Sequence, residues 1–156
     1  LRTGPLLTRL RAMSNPIQPA PDFADAEALA AITQLIAEYQ DAVDCGDSER
    51  IVAVLAHATI IGPTGKTIEG ADAIRGMYTG ANKPGDDGRR KTKHYLTNVR
   101  VHPVDADGVH EVDSYYLMFV PGEGGPSIRT SGRYHHRVAR RDGRWVVLLH
   151  QIIHDL

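Results

Sequence analysis

The sequence has few of the residues that fix a structure or a function through their own chemistry. Cys45 is the only cysteine among 156 residues, so an internal disulfide is excluded and no cysteine pair offers a zinc site. A lone cysteine is typical of a reducing compartment, and we expect a cytoplasmic protein. No apolar run approaches the roughly 18 residues that span a bilayer, so we expect no membrane segment.

The sequence also lacks an excess of charge of either sign. It has 18 basic and 19 acidic residues spread along the chain, for a formal net charge of −1. No basic face is therefore expected for nucleic acid or for an anionic membrane. The glycine-rich stretch Gly122–Gly125 lies between two predicted strands and opens no helix, so it does not match a phosphate or dinucleotide loop. We expect no cofactor.

Histidine is plentiful, but its spacing does not match a metal site. Eight histidines occur without the short ligand spacings that zinc and other metals require. His135 and His136 are adjacent on a predicted strand and must point to opposite faces, so they cannot chelate one ion together. His102, His110 and His154 lie near turns or the terminus and are expected in solvent. We expect no metal.

The length and the apolar content of 42% fit one domain with a single buried core. The first part of the chain is different. Three prolines within residues 16–21 favour an extended conformation. Residues 1–23 are therefore predicted to be an extended arm or a non-native leader, and Met13 is a plausible translation start within it. Residues 24–156 form the predicted domain.

The first half of the domain has helical patterns. Apolar residues recur at three- and four-residue steps between Ala28 and Val43, which predicts a helix with one buried face. The predicted helices run from Asp22 or Asp25 to Cys45, from Asp47 or Ser48 to Leu55, and from Ala71 to Tyr78. A short strand is expected at residues 57–61. Capping residues and glycines mark most of these boundaries.

The second half of the domain has strand patterns separated by turn residues. The predicted strands are Lys93–Pro103, Val109–Val120, Ser127–Arg140 and Arg144–Ile153. Their connections are rich in glycine, proline and aspartate, which is typical of turns between antiparallel strands. Helices followed by strands indicate an α+β fold, in which a strongly curved antiparallel sheet wraps around the N-terminal helices.

The candidate site starts from a histidine and an aspartate about fifty residues apart. His94 lies in a predicted strand, and Asp44 lies at the end of the first predicted helix. If the fold brings them together, the carboxylate orients the imidazole, and such a pair is a general base near neutral pH. Each residue also has a purely structural explanation, because an aspartate can satisfy backbone groups at a helix end and a lone strand histidine is usually structural.

A series of short motifs in a fixed order resembles a known family. The order is Tyr39 and Asp44 on a helix, Gly46-Asp47, Ile68-Glu69-Gly70-Ala71-Asp72, His94-Tyr95-Leu96-Thr97-Asn98, Gly132-Arg133-Tyr134, and Arg141-Asp142-Gly143-Arg144-Trp145. From Ala28 onward the chain is similar to the SnoaL-like branch of the nuclear transport factor 2-like superfamily. The resemblance implies a cone of one curved sheet and three helices around a deep pocket. It also implies a homodimer or a higher homo-oligomer.

The resemblance implies roles for four residues. Within the branch, the chain is similar to scytalone dehydratase, bile-acid dehydratase and hexachlorocyclohexane dehydrochlorinase at their elimination sites. Asp44 matches the aspartate that orients the catalytic histidine, and His94 matches that histidine. Tyr39 stands where the dehydratases have a tyrosine. His150 stands where some of these enzymes have an arginine, so a permanent positive charge is missing there.

The predicted function is a cofactor-independent lyase or isomerase for a small apolar cyclic, aromatic or polycyclic molecule. His94 is the base, Asp44 orients it and Tyr39 donates a hydrogen bond, with His150 as a second donor or acid. Tyr39 falls on the apolar helix stripe, so core packing is an equally good explanation of it. The alternative function is a non-catalytic ligand-binding or subunit module of the same fold.

Substrate contacts are also expected from the second long strand. Alternate residues of a strand point to opposite faces, so either Asp113 and Tyr115 or Tyr116 should line the pocket. The sequence leaves this choice open.

Overall fold

A computed structural model describes residues 22–81 and 85–155 of the chain. All but the last two residues of the predicted arm, residues 1–23, lie outside this description. The helices are α1 (Ala26–Cys45), α2 (Ser48–Leu55) and α3 (Ala71–Ala81). The strands are β1 (Thr59–Ile61), β2 (Thr67–Ile68), β3 (Lys93–Val101), β4 (Val109–Val120), β5 (Ser127–Arg141) and β6 (Arg144–His154).

Capping residues define both ends of α1. The Asp25 carboxylate accepts a hydrogen bond of 2.8 Å from the backbone N–H of Ala28, so Asp25 caps the helix rather than Asp22. At the other end Gly46 has a φ of 71°, and its N–H bonds to carbonyl groups in the last turn. Only glycine adopts this left-handed conformation without strain. The helix therefore ends abruptly and holds Asp44 in its last turn.

The other short elements differ slightly from the sequence prediction. Asp47, and not Ser48, caps α2, because its carboxylate accepts from the N–H groups of Glu49 and Arg50. Helix α3 extends three residues beyond the predicted end at Tyr78. Strand β2 was not predicted, and it pairs with β1 to form the outer edge of the sheet. Two residues are too few for an alternating pattern to be recognised.

The six strands form one sheet in the order β2-β1-β6-β5-β4-β3. Strands β3 to β6 form the predicted antiparallel meander, which confirms the α+β fold. Strand β1 pairs with β6 in the parallel direction, a pairing between distant segments that local patterns do not predict. Asp142 and Gly143 both have positive φ angles, 49° and 76°, as a tight two-residue hairpin between β5 and β6 requires.

Three irregularities change which side chains face the helices. The pairing register shifts between Thr97 and Arg100 on β3, at the end of β4, and between Arg137 and Val138 on β5. A bulge adds one residue to one strand, so the strand bends and the alternation of faces restarts. On β6, strict alternation predicts that Val146, Leu148, His150 and Ile152 share one face. This prediction is wrong beyond the bulge, where the helix-facing side chain after His150 is Val147.

Two clusters of buried apolar residues join α1 to the rest of the domain. The first half of α1 packs on strands β3, β4 and β5 through Ala28, Ile32, Ile36, Val101, Val112 and Val138. Its second half packs with α2, α3, β1 and β6 through Tyr39, Ala42, Val43, Ile51, Leu55, Ile60, Ile74, Tyr78 and Val147. Helix α1 is thus fixed along its length against the sheet. None of the helices described is both long and apolar enough to cross a membrane.

Candidate active site

The structure brings Asp44 and His94 into direct contact. Asp44 is 6% exposed at the end of α1, and His94 begins the helix-facing side of β3. Nδ1 of the His94 ring is 2.7 Å from Oδ1 of Asp44. The backbone N–H of His94 donates to Oδ2 over 2.7 Å, and the Thr92 hydroxyl donates to Oδ1 over 2.9 Å. One carboxylate therefore fixes both the ring and the backbone at the start of β3.

These contacts decide the protonation of the pair. Burial alone would raise the pKa of Asp44, but the hydrogen bonds from His94 and Thr92 outweigh it, and the pKa is lowered. An ionised carboxylate only accepts, so Nδ1 of His94 must carry the proton in their hydrogen bond. Within the part of the chain that the structure describes, Nε2 has no hydrogen-bond partner. In the neutral imidazole, this nitrogen carries the lone pair.

Aromatic rings surround the imidazole on the same face of the sheet. The ring centroid of Tyr116 is 6.4 Å from that of His94, and Tyr134 stacks on Tyr116 with centroids 4.3 Å apart. Gly132 lies opposite Tyr116 on β5, and a side chain there would overlap the carbonyl oxygen of Ile153. The bare glycine backbone makes room for the stacked tyrosines next to His94.

Four buried polar side chains form a second hydrogen-bonded unit deeper in the domain. The Tyr39 hydroxyl is 2.8 Å from the Tyr78 hydroxyl and 3.1 Å from Nε2 of His150. Nδ1 of His150 is 2.9 Å from Nε2 of His136. We call Tyr78, Tyr39, His150 and His136 the buried polar chain. Tyr134 touches it, because its ring centroid is 6.4 Å from that of Tyr39.

The buried polar chain is uncharged at neutral pH. Burial lowers the pKa of His150 to about 3 and lowers the pKa of His136 well below its ordinary value. Burial, together with the neighbouring Tyr78, raises the pKa of Tyr39 well above its ordinary value. His150 therefore does not replace the positive charge of the arginine found at this position in some similar enzymes. It acts as a neutral partner of Tyr39.

The family model described as a SnoaL-like domain matches residues 24–149, most of the chain, including Asp44 and His94. The chain belongs to the SnoaL-like domain family. This confirms the resemblance that the sequence motifs indicate.

Solved structures with the same fold extend over most of this SnoaL-like domain. ActVI-ORFA from Streptomyces coelicolor has a TM-score of 0.72 at 16% identity, covering 83% of this chain and 98% of that one. A putative scytalone dehydratase from Novosphingobium aromaticivorans has a TM-score of 0.66 at 19% identity, covering 83% of this chain and 85% of that one. LinA has a TM-score of 0.68 at 19% identity, covering 83% of this chain and 87% of that one. These identities support the fold alone. The sequence has no significant match among proteins of curated function.

In the SnoaL-like domain, the pairing register of β3 with β4 decides which side chains of β4 lie on the same face as His94. Tyr116 is buried and pairs across the sheet with Leu96, on the face of His94. Asp113 and Tyr115 lie on the opposite, outer face, where Tyr115 is 47% exposed. Oδ2 of Asp113 is 2.9 Å from Nε2 of His102, and its Oδ1 is 3.0 Å from Nδ1 of His135. The structure therefore brings Tyr116, but not Asp113 or Tyr115, near the Asp44–His94 pair.

The remaining histidines include one that differs from the sequence prediction. His110 was expected in solvent but is buried, with Nδ1 2.8 Å from the carbonyl oxygen of His102. His154 is exposed, as predicted. His135 and His136 face opposite sides of the sheet, as predicted from their adjacency. Among the residues that the structure describes, no group of three or more potential ligands is arranged to hold a metal ion.

Sequence reasoning missed several residues of the site. Tyr78 and His136 complete the buried polar chain, and Tyr134 connects it to Tyr116. Thr92 is the second side-chain donor to Asp44. A buried histidine needs a hydrogen-bond partner, but β5 is rich in arginine and other polar residues, so its sequence gives no sign that His136 is buried. No sequence signal distinguishes Thr92 either.

Proposed function

We propose that this protein is a cofactor-independent lyase or isomerase in which Nε2 of His94 removes a proton from a carbon atom of the substrate. The Asp44–His94 pair carries this proposal. The carboxylate holds the proton on Nδ1, so the lone pair of Nε2 is available as a base. Once the ring has taken a second proton, the adjacent Asp44 stabilises the imidazolium.

The proposed reaction needs no electron donor or acceptor. Nε2 takes a proton from carbon, and the electron pair of the C–H bond forms a C=C bond with the neighbouring carbon. A leaving group departs from that carbon with its own electron pair, as a halide or as water after protonation. In isomerisation no group leaves. The neighbouring carbon is then a carbonyl carbon, whose C=O π pair moves to the oxygen as the C=C bond of an enolate forms, and return of the proton to another carbon of the conjugated system restores the C=O bond and shifts the double bond. The same base serves both outcomes.

Tyr39 is the proposed hydrogen-bond donor to the substrate. A phenol oxygen accepts two hydrogen bonds and donates one. If His150 and Tyr78 both donate to Tyr39, the O–H of Tyr39 is free for a carbonyl or hydroxyl group of a ligand. His136 then donates to Nδ1 of His150. This pattern keeps every member neutral, in agreement with the direction of the pKa shifts.

The proposed substrate is a small apolar cyclic, aromatic or polycyclic molecule. The rings of Tyr116 and Tyr134 beside His94 support this choice, because aromatic side chains pack well on flat apolar ligands. A structural neighbour described as a putative scytalone dehydratase makes elimination of water the first reaction to test.

The base can be tested before the substrate is known. β-Tetralone is a bicyclic ketone with acidic C–H bonds next to its carbonyl group, and its exchange with D₂O is followed by NMR. We expect the protein to accelerate this exchange. His94→Gln and Asp44→Asn should each reduce the acceleration by about 10²-fold or more, the usual contribution of a positioned base. Circular dichroism would check that both variants keep the fold.

A surface histidine provides the control. His57 is exposed after α2, and His57→Gln should exchange at the parent rate. Equal acceleration by the parent protein and His94→Gln would refute the proposal. Absence of any acceleration with a panel of such ketones would favour the non-catalytic ligand-binding or subunit module. A homo-oligomer and a cytoplasmic location stay predictions, which sedimentation equilibrium and cell fractionation would check.

A further inference from the structure

Arg90 is a half-buried arginine in the segment that leads into β3. A Cβ atom placed on Gly46 would lie 3.6 Å from Cγ of Arg90, so the arginine side chain passes the end of α1. Its guanidinium interacts electrostatically with the carboxylate of Asp44. The preceding residue, Arg89, is exposed. The run of basic residues before His94 is therefore not a uniform solvated surface, because one of its members reaches the candidate site.

Among the residues that the structure describes, Arg90 has no close partner for its charge. No group there hydrogen-bonds its side chain, and no carboxylate lies within 4 Å of its guanidinium. Asp44 already accepts three hydrogen bonds from His94 and Thr92. A partly buried cation without a partner is unfavourable, so this guanidinium is poised to bind an anion.

Arg90 lines a cavity of about 660 Å³. The lining combines cationic and apolar groups, and no acidic residue is among them: Arg90, Lys91, Thr92, Lys93, Tyr95, Phe119, Val120, Pro121, Gly122, Gly125 and Pro126. Thr92 belongs both to this lining and to the hydrogen bonds of Asp44. Tyr95 alternates with His94 along β3, and Phe119 pairs with Lys93, so the aromatic part of the lining is on the outer face of the sheet, opposite the His94 ring.

We propose that this cavity binds an organic carboxylate with an aromatic body, and that Arg90 pairs with its carboxylate group. The planar guanidinium matches a carboxylate with two parallel hydrogen bonds. Tyr95 and Phe119, which pack edge to face with centroids 5.2 Å apart, form an aromatic wall for the ring of the ligand. The inference does not rest on the proposed function, because Tyr95 and Phe119 lie on the outer face of the sheet and His94 lies on the helix-facing side.

Arg90 also supplies what the position of His150 lacks. Burial lowers the pKa of Arg90, while the charge of Asp44 raises it, and the guanidinium stays cationic at neutral pH. His150 is neutral in the folded protein. A permanent positive charge is therefore present at the site, but it comes from the segment before β3 and not from β6.

Binding of two matched ligands tests this inference without requiring catalysis. β-Naphthoate carries the carboxylate, and naphthalenemethanol is its neutral counterpart of similar shape. We expect calorimetry at neutral pH to give a Kd for β-naphthoate about 10- to 100-fold lower than for the alcohol, the usual strength of a hydrogen bond to a charged group. Arg90→Gln should remove this difference, and Arg90→Lys should keep part of it.

Two further variants test whether Arg90 causes the preference for β-naphthoate and whether the aromatic wall binds the ring of both ligands. Arg89→Gln removes an exposed neighbouring charge and should leave both affinities unchanged. Phe119→Ala removes part of the aromatic wall and should weaken both ligands to a similar degree. The inference is overturned if the parent binds both ligands equally, if β-naphthoate does not bind at millimolar concentration, or if Arg90→Gln retains the preference.

The failures of the two proposals are distinguishable. His94→Gln should still prefer β-naphthoate, because Arg90 and the cavity are intact. A preference that depends on Arg90 without any catalysed C–H exchange would leave the anion site standing and reject the catalytic base. Catalysed C–H exchange that depends on His94, without a preference for β-naphthoate that depends on Arg90, would support the catalytic base and reject the anion site.

Discussion

At the scale of single residues, the site depends on which side-chain atoms already have a hydrogen-bond partner within the protein. Asp44 uses both oxygens on His94 and Thr92, and Nε2 of His94 is the end of the pair that has no hydrogen-bond partner among the residues described. Arg90 is the opposite case, because no group among those residues hydrogen-bonds its guanidinium, which interacts with Asp44 only beyond 4 Å. The atoms that have no partner are the ones to which the two proposals assign a ligand.

Gly132 gives a stability prediction at this scale. A Cβ atom at this position would overlap the carbonyl oxygen of Ile153 and lie 2.9 Å from Cε1 of Tyr116. Gly132→Ala should therefore lower the free energy of unfolding by about 1–3 kcal/mol, the usual cost of overpacking. Urea denaturation measures it. Gly124→Ala is the control, because a Cβ atom there meets nothing within 4 Å. Equal denaturation midpoints for the two variants would contradict the prediction.

At the scale of elements, the end of α1 and the start of β3 create the site together. Helix α1 stops at Gly46, which places Asp44 in the last turn, and the carboxylate then binds the first residues of β3. Continuous pairing of β3 with β4, of β4 with β5 and of β5 with β6 places His94, Tyr116 and His150 on the helix-facing side. The termination of one helix and the register of three strands thus determine the geometry of the site.

Gly46, which ends α1, and Gly76, inside α3, separate the effect of this helix end from general helix propensity. Gly46 has a φ of 71°, so Gly46→Ala forces alanine into a left-handed conformation and should lower the free energy of unfolding by about 1–2 kcal/mol. Gly76 lies exposed within α3 with open space around it, and Gly76→Ala should raise the free energy of unfolding by up to about 1 kcal/mol. Thermal or urea denaturation would compare both variants with the parent, and changes of the same sign would contradict the prediction.

At the scale of the whole molecule, burial of neutral histidines makes folding depend on pH. The folded state lowers the pKa of His150 to about 3, whereas the unfolded chain binds a proton near pH 6.5. The unfolded state therefore holds more protons between these values, and stability falls as the pH falls. Each such histidine contributes a slope of up to about 1.4 kcal/mol per pH unit in this window. His136, whose pKa burial also lowers, adds to the effect.

A variant of His150 checks this dependence. His150→Gln keeps a neutral hydrogen-bonding side chain but cannot be protonated. The free energy of unfolding, measured in urea from pH 7 to pH 4, should therefore fall less steeply for this variant than for the parent. The difference in slope should be close to one proton. His57→Gln, on the surface, should keep the parent slope. Parallel curves for His150→Gln and the parent would show that His150 is protonated in the folded state.

Much of the architecture could be predicted from local patterns. Apolar spacing predicted the three helices, turn residues predicted the four long strands, and Asp25 and Gly46 marked the ends of α1. The contact between Asp44 and His94 was anticipated from their places in these elements and from the family resemblance. These features are local, because caps, turns and periodicity act over only a few residues.

Other features depend on which distant segments meet. The sequence by itself determined the order and type of most elements and the candidate pair His94 and Asp44. Only the tertiary structure decided that Tyr116 and not Tyr115 faces this pair, that His150 is a buried neutral partner of Tyr39, and that Arg90 differs from Arg89. The physical reason is that pairing between strands sets which side chains share a face and that burial sets protonation, and both arise from packing between segments far apart in the chain.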